Sequence, residues 1–214
     1  MPTSQLPAGE ERRSTLKRRA ILEAAATLFI RNGYLGTTMD DIAARARVSK
    51  QTVYKHFADK KSLFNEIVTT TVDEVSEPVY NEVLNLQDTG NLEADLRDLA
   101  RRQLASVMQP RLLELRRLVI GEAERFPELG RTFYDRGPNR TLTALATSFQ
   151  RLAQRGALQL DDPWLAAAHF NWLIMSIPLN QAMFLGDQEL PTPTELDRYA
   201  DSGVGVFLSA YGTN

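Results

Sequence analysis

The sequence predicts an all-α protein. Apolar residues recur every three or four positions in segment after segment, and no run alternates apolar with polar residues as a half-buried strand would. The segments are bounded by Ser, Thr, Asp or Asn at one end and by Gly or Pro at the other. With 214 residues, 43% of them apolar, the chain can build one large or two small domains. It contains no cysteine, which excludes disulfide scaffolds, thiolate metal sites and cysteine nucleophiles, and makes a reducing compartment the expectation. No apolar run reaches the ~18 residues of a membrane span, and the opening MPTSQLPAGEERR lacks the apolar segment of a signal peptide. A soluble cytoplasmic protein with no membrane partner is expected.

Charge is unevenly distributed. Through Lys61 there are 12 Lys and Arg against 6 Asp and Glu, a balance of +6; from Ser62 onward 13 stand against 21, a balance of -8. All five lysines (Lys17, Lys50, Lys55, Lys60 and Lys61) lie in the first part. A small polyanion-binding module joined to a domain with another task would give this pattern.

Residues 1–13 are expected to form a disordered arm, because 1–9 carry two prolines and no periodicity. A first helix follows over 14–32. Leu16, Ala20, Ala24 and Leu28 repeat every four residues with Ile21, Ala25 and Phe29 beside them, and Gly33 stands at the left-handed cap position. Thr38 and Asp41 have the spacing of a capping box, opening a short helix with Ile42, Ala43 and Ala46 on its apolar face. Ser49 is a second N-cap, for a two-turn helix over 50–57, and Asp59 a third, for a long segment through Leu63, Phe64, Ile67 and Val68 to about residue 85.

Two helices of two turns joined by three or four residues make a helix-turn-helix, here at about 37–57, whose second helix enters a DNA major groove. Helices this short need the first helix as a lid. With Val53 and Phe57 turned inward against Ile42 and Ala43, the outer face carries Lys50, Gln51, Tyr54, Lys55 and His56. Lysine neutralises phosphate, glutamine can pair with an adenine edge, and hydroxyls donate to phosphate oxygens.

These residues also resemble a known family. Gly33-Tyr34, Thr37-Thr38, Ile42-Ala43, Val48-Ser49, Thr52-Val53-Tyr54, His56-Phe57, Lys60 and Leu63 are similar, position by position, to the DNA-binding domain of TetR/AcrR transcriptional regulators. The resemblance implies a homodimeric, all-helical repressor with three N-terminal helices on a double-stranded DNA operator, and a larger C-terminal domain that binds a small-molecule effector. It makes Thr38, Tyr54 and Lys60 phosphate anchors, with Thr37 beside them, and Lys50, Gln51, Thr52, Lys55 and His56 groove contacts. The run RLVIGEAERFPELGRTFYDRGP, 117–138, resembles the C-terminal region of an AefR-like subgroup. On this division 14–71 is the DNA-binding domain and 72–214 the ligand-binding and dimerisation domain.

The second domain reads as helices in order. Leu92, Leu96, Leu99 and Leu104 mark one, and Gln109-Pro110 opens another to about residue 124. Phe126-Pro127 breaks it; a short segment over 128–136 precedes a helix over 138–155 closed by Gly156. Asp161 or Asp162 caps a long apolar helix to about residue 185, in which Pro178 should produce a kink, and Thr192 or Pro193 opens the last helix. The long helix is apolar around much of its circumference. Paired with the last helix it would form a four-helix bundle across a two-fold axis, with Phe184, Gly203, Phe207 and Tyr211 at the interface. Mixed apolar and polar residues that could line an effector pocket are Met108, Arg116, Phe126, Phe133, Tyr134, His169, Asn171, Trp172 and Met175.

No enzyme constellation is present. The chain has no G-x-S-x-G, Walker or G-x-G-x-x-G motif, and its two histidines, His56 and His169, lie in different predicted domains. No metal site and no cofactor are expected. The alternative to a ligand-controlled repressor is a DNA-binding helical protein without small-molecule control.

Overall fold

The computed structural model describes residues 8–86 and 90–213. The N-terminal helices are α1 (Ala8–Asn32), α2 (Met39–Ala46), α3 (Lys50–His56) and α4 (Lys60–Asn85). They are followed by α5 (Leu92–Val107), α6 (Pro110–Glu122), α7 (Pro127–Tyr134), α8 (Arg140–Gln154), α9 (Pro163–Leu185) and α10 (Pro193–Tyr211). Among the described residues the extended pairing is one isolated antiparallel bridge, Leu158 with Gly212, reinforced by the Gln159 amide donating 2.8 Å to the Tyr211 carbonyl.

The caps are chemical. Thr38 and Asp41 exchange side-chain and backbone hydrogen bonds, as do Asp59 with Ser62 and Thr192 with Glu195, satisfying amides that the first helical turn leaves open. Ser49, Asn91 and Asp162 cap α3, α5 and α9 with a side-chain oxygen.

Three expectations change. The helix begins at Ala8, so 8–13 belong to α1 and not to an arm, while 1–7 lie outside the described residues. Arg12 and Arg13 are exposed, and a turn with no apolar face is invisible to periodicity. The buried stripe of α1 is Ile21, Ala24, Ala25 and Phe29; Leu16 is 60% exposed. Between α7 and α8 the helical path does not break. It passes through a π-helical turn, Asp135–Asn139, where Pro138 has no amide to offer and the wider turn absorbs the missing bond.

Two apolar clusters form the core. The first joins α1 to α4 with α6 and α7, through Phe29, Tyr34, Phe64, Leu112, Leu129 and Phe133; the second joins α4, α5, α8, α9 and α10 around Phe149, Phe170 and Phe207. The first cluster thus takes in α6 and α7 from beyond residue 72, and α4 runs through both. Helix α4 gives Leu63, Phe64, Ile67, Val68 and Val72 to one and Val79 and Val83 to the other.

Candidate nucleic-acid interface and ligand cavity

The turn of the helix-turn-helix rests on Arg47, whose φ of 55° is left-handed, and whose amide donates to the carbonyls of Ala43 and Ala44. Helix α3 then turns Val53 fully inward, with Phe57 buried at its C-terminus against α1. Lys50, Gln51, Tyr54 and Lys55 are exposed on the opposite side, Tyr54 by 47%; Thr52 and His56 are half-buried at the flank. Thr52 shares a 2.8 Å hydroxyl contact with Ser49. Lys50 lies 2.8 Å from Asp40, and this bond raises its pKa. Both partners are exposed, so a phosphate can replace the carboxylate at little cost. His56 is held below its ordinary pKa by burial first, then by Arg18, Lys55 and Lys17, so at neutral pH it is an uncharged hydrogen-bonding group.

Two expected DNA contacts are turned elsewhere. Thr37 is fully buried, and its hydroxyl donates 3.0 Å to the Gly33 carbonyl. The Lys60 ammonium donates 2.8 Å to the carbonyls of both Tyr34 and Thr37, and lies 4.5 Å from the centre of the Tyr34 ring. It clamps the α1–α2 loop rather than presenting its charge outward. Tyr34 itself is packed by Phe29, Phe64 and Phe126, and burial raises its phenol pKa.

A cavity of about 230 Å³ lies between α4, α5, α6, α7, α8 and α9. Of the residues expected to line a pocket, it takes Arg116, Phe133, Tyr134, Asn171, Trp172 and Met175. The remaining three point elsewhere. Met108 is buried in the second core cluster, Phe126 packs edge-on against Tyr34, and the His169 ring nitrogen meets the Tyr211 hydroxyl at 2.6 Å on the outer surface. Sequence reasoning missed the wall of Val72, Val75, Ser76 and Val79 from α4, together with Gln103, Ser106 and Val107 of α5, Leu112 of α6, Leu179 of α9, and Gly137, Pro138 and Thr141 beyond α7. Valines at helical spacing look like ordinary core; only the absence of a filling side chain distinguishes them.

The polar groups of the cavity are incompletely paired. Gln103 donates 3.0 Å to Asn171 through Nε2, while its shielded Oε1 accepts nothing. Arg116 stacks its guanidinium 5.3 Å from the centre of Phe133, its shielded Nε has no acceptor, and burial pushes its pKa down.

An exposed apolar face runs along α9 and α10 through Leu165, Trp172, Leu173, Ile177 and Val206 to Phe184, which is 82% exposed. Two of the expected interface residues belong instead to the interior. Phe207 is fully buried against Phe149 and Phe170, and Gly203 lets α10 approach α9 so closely that a Cβ there would lie 2.7 Å from Ile174 Cγ2. Tyr211 is half-buried at the edge of this face.

Among the described residues no group of acids and histidines could hold a metal ion, and no helix is long and apolar enough to cross a membrane. Residues 21–67 match the family model described as bacterial regulatory proteins of the tetR family, and residues 94–213 match the C-terminal domain of AefR-like transcriptional repressors. A TetR-family transcriptional regulator of Mesorhizobium loti MAFF303099 is 45% identical, with a TM-score of 0.86 over 94% of this chain and 99% of that one. The flavonoid-responsive regulator FrrA is 31% identical, with a TM-score of 0.74 over 92% and 98%. The HTH-type transcriptional regulator YhgD of Bacillus subtilis (strain 168) is 44% identical over 61 residues, 28% of this chain and 32% of the relative. The chain thus spans about a third of the length of such curated relatives. With the C-terminal model alone covering more than half of its residues, the chain belongs to the TetR family of DNA-binding transcriptional regulators.

Proposed function

We propose that the protein is a homodimeric repressor that leaves its operator when a small apolar or amphipathic molecule occupies the cavity. The carrying observation is that α4 walls the cavity with Val72, Val75, Ser76 and Val79, while its first residue, Lys60, holds the loop that leads into the helix-turn-helix. Occupancy at one end of this helix can therefore be felt at the other. Support comes from the repressor description of the matching C-terminal family and from the flavonoid response named for FrrA.

In this reading Gln51 and Lys50 face base edges or nearby phosphates, Tyr54, Lys55 and Thr38 contact the backbone, and Thr52 and His56 flank them. The apolar face of α9 and α10 covers its own copy on a second protomer, because a soluble monomer rarely leaves a contiguous apolar patch of this kind open.

The test is a titration of the purified protein against its own upstream DNA and a scrambled control at two salt concentrations, with protomer stoichiometry read by sedimentation. Tight, salt-sensitive binding of two protomers to one DNA, relieved by a compound that also raises the melting temperature, is the expected result. Equal and weak binding to both DNAs would overturn the repressor reading. Tight binding that no cavity-binding compound relieves would leave a DNA-binding protein without small-molecule control.

A further inference from the structure

A half-buried cation whose inner nitrogen lacks an acceptor and which has no acid partner is costly, and the cavity wall holds one. Its neighbours on the same helix are paired: Arg111 with Glu74 at 3.5 Å and Arg117 with Asp187 at 2.6 Å. Arg116 has no such partner among the described residues; its shielded Nε lacks any acceptor, and the one group it touches by charge is the face of Phe133. A second unpaired group lies in the same wall. Gln103 is 2% exposed, one end of its amide is spent on Asn171, and the other is shielded and unpaired. An unpaired buried polar atom is a cost that a bound group can remove.

The remaining wall is apolar and in part aromatic, with Val72, Val79, Phe133, Trp172 and Met175. That excludes an inorganic anion, which would lose its hydration without gaining enough donors, and one cation cannot balance a polyanion. Size restricts the choice further. A cavity of ~150 Å³ holds one benzene ring, so about 230 Å³ accommodates roughly two fused rings.

We infer that the cavity binds a flat aromatic monoanion of about two rings, its charged group on Arg116 and a hydroxyl toward Gln103. This rests on the proposed reading of the cavity as the effector site and narrows it from amphipathic molecules in general to a charge class. The anion would satisfy the guanidinium through charge-assisted hydrogen bonds, the rings would lie against Phe133 and Trp172, and the hydroxyl would serve the free end of the Gln103 amide whichever way that amide is oriented.

The probes are 3-hydroxy-2-naphthoate and 3-hydroxy-2-naphthamide, which match in shape and differ in charge, titrated by calorimetry into the full-length protein at neutral pH. The acid should bind about tenfold more tightly or better, the scale of one charge-assisted contact. Arg116→Met should erase that preference and leave the amide's affinity within about threefold. Its melting temperature should not fall, since it removes a half-buried charge that has no acid partner. Gln103→Glu, which adds a carboxylate to the same wall, should also exclude the acid while admitting the amide. Amide and acid binding equally to the unaltered protein would overturn the anion inference and leave the pocket standing. Binding of neither probe, or acid binding that survives the cavity-filling Val79→Trp, would overturn the effector-site reading and this inference with it.

Discussion

Replacing Lys60 by Met separates two roles for the same residue. As a phosphate anchor, Lys60 would contribute to DNA affinity and little to stability; as a clamp, the reverse. The geometry favours the clamp. Two hydrogen bonds of 2.8 Å run from one ammonium to the carbonyls of Tyr34 and Thr37, and the charge lies 4.5 Å from the Tyr34 ring centre. A hydrogen bond to a charged group contributes ~1.5–3 kcal/mol, and a cation over an aromatic face at a partly exposed site ~0.5–1 kcal/mol. Lys60 is only half-buried, so water replaces part of what is lost. The expected cost of Lys60→Met is therefore about 2–3 kcal/mol, or a fall of about 5–10 °C in melting temperature for a chain of this length. Urea unfolding followed by circular dichroism, at matched protomer concentration, measures it. DNA titrations across a salt series supply the second readout. A lost phosphate contact reduces the slope of log affinity against log salt by about one, and the clamp predicts an unchanged slope. Unaltered stability together with a shallower slope would refute the reasoning.

Three further outcomes follow from the same geometry. Lys55→Ala should weaken binding to every DNA sequence and lower the salt slope by about one, whereas Gln51→Ala should cost about 1–3 kcal/mol at one base position only; competition binding against single-position operator variants tells them apart. Gly203→Ala should destabilise by about 1–3 kcal/mol in urea melts, because its Cβ would sit 2.7 Å from Ile174 and 3.0 Å from the Leu173 backbone, forcing α9 and α10 apart. Asp201 is held below the ordinary carboxylate range by its hydrogen bonds to Arg101, 2.7 and 2.9 Å long, against a smaller opposing effect of burial. A depressed folded-state value gives stability that is fully present above the unfolded value of about 3.9 and disappears as pH falls through the lower folded value. Asp201→Asn should therefore lower the melting temperature at neutral pH and flatten its decline below about pH 4.

What could be read from sequence was whatever local chemistry decides. Thr38, Ser49 and Asp59, with one of Asp161 and Asp162 and one of Thr192 and Pro193, announce helix starts because a short oxygen-bearing side chain in front of an apolar stripe has few other uses; Thr38, Ser49, Asp59, Asp162 and Thr192 each cap a helix here. Direction and shape were not legible. Lysine suggests phosphate by residue type, but the side chain of Lys60 reaches across 26 residues of sequence to a carbonyl that only the fold brings near. Phe207 and Gly203 suit an interface as well as an interior, and it is the ring contacts with Phe149, tilted, and Phe170, edge-on, that assign Phe207 to the interior. The cavity was least visible, since it is defined by what α4 does not touch. Arg116 carried a signal only as one of two adjacent arginines, Arg116 and Arg117, in a leucine-rich helix, and the same signal marks many solvated arginines.

In the proposed mechanism, coupling between cavity and DNA-binding face passes through α4, and its flank shows how firmly that helix is held. Asp73 pairs with Arg136 at 2.7 Å, Glu77 with Arg140 at 2.8 Å and Glu74 with Arg111 at 3.5 Å. These pairs are largely exposed and each contributes less than about 1 kcal/mol, so they steady the helix without locking it. The tighter contact is Gly137 of the π-helical turn, where a Cβ would lie 3.2 Å from Val72 Cγ1, beside the cavity. A ligand can shift the DNA-binding equilibrium only by its differential affinity for the two arrangements, and tenfold weaker binding requires about 1.4 kcal/mol. A displacement of α4 by a few tenths of an ångström at Val72 is the kind of step a bound ring would impose. Gly137→Ala imposes it covalently. The expected result is weaker operator binding by about threefold to tenfold without any ligand, with the scrambled-DNA affinity unchanged and a smaller further response to a cavity-binding compound. Arg136→Ala, which removes only an exposed ion pair next to it, should leave both measurements near those of the unaltered protein. If Gly137→Ala folds normally and retains full operator affinity and full ligand response, α4 does not carry the signal at Val72, and any coupling must run through the packing of α6 and α7 against the first core instead.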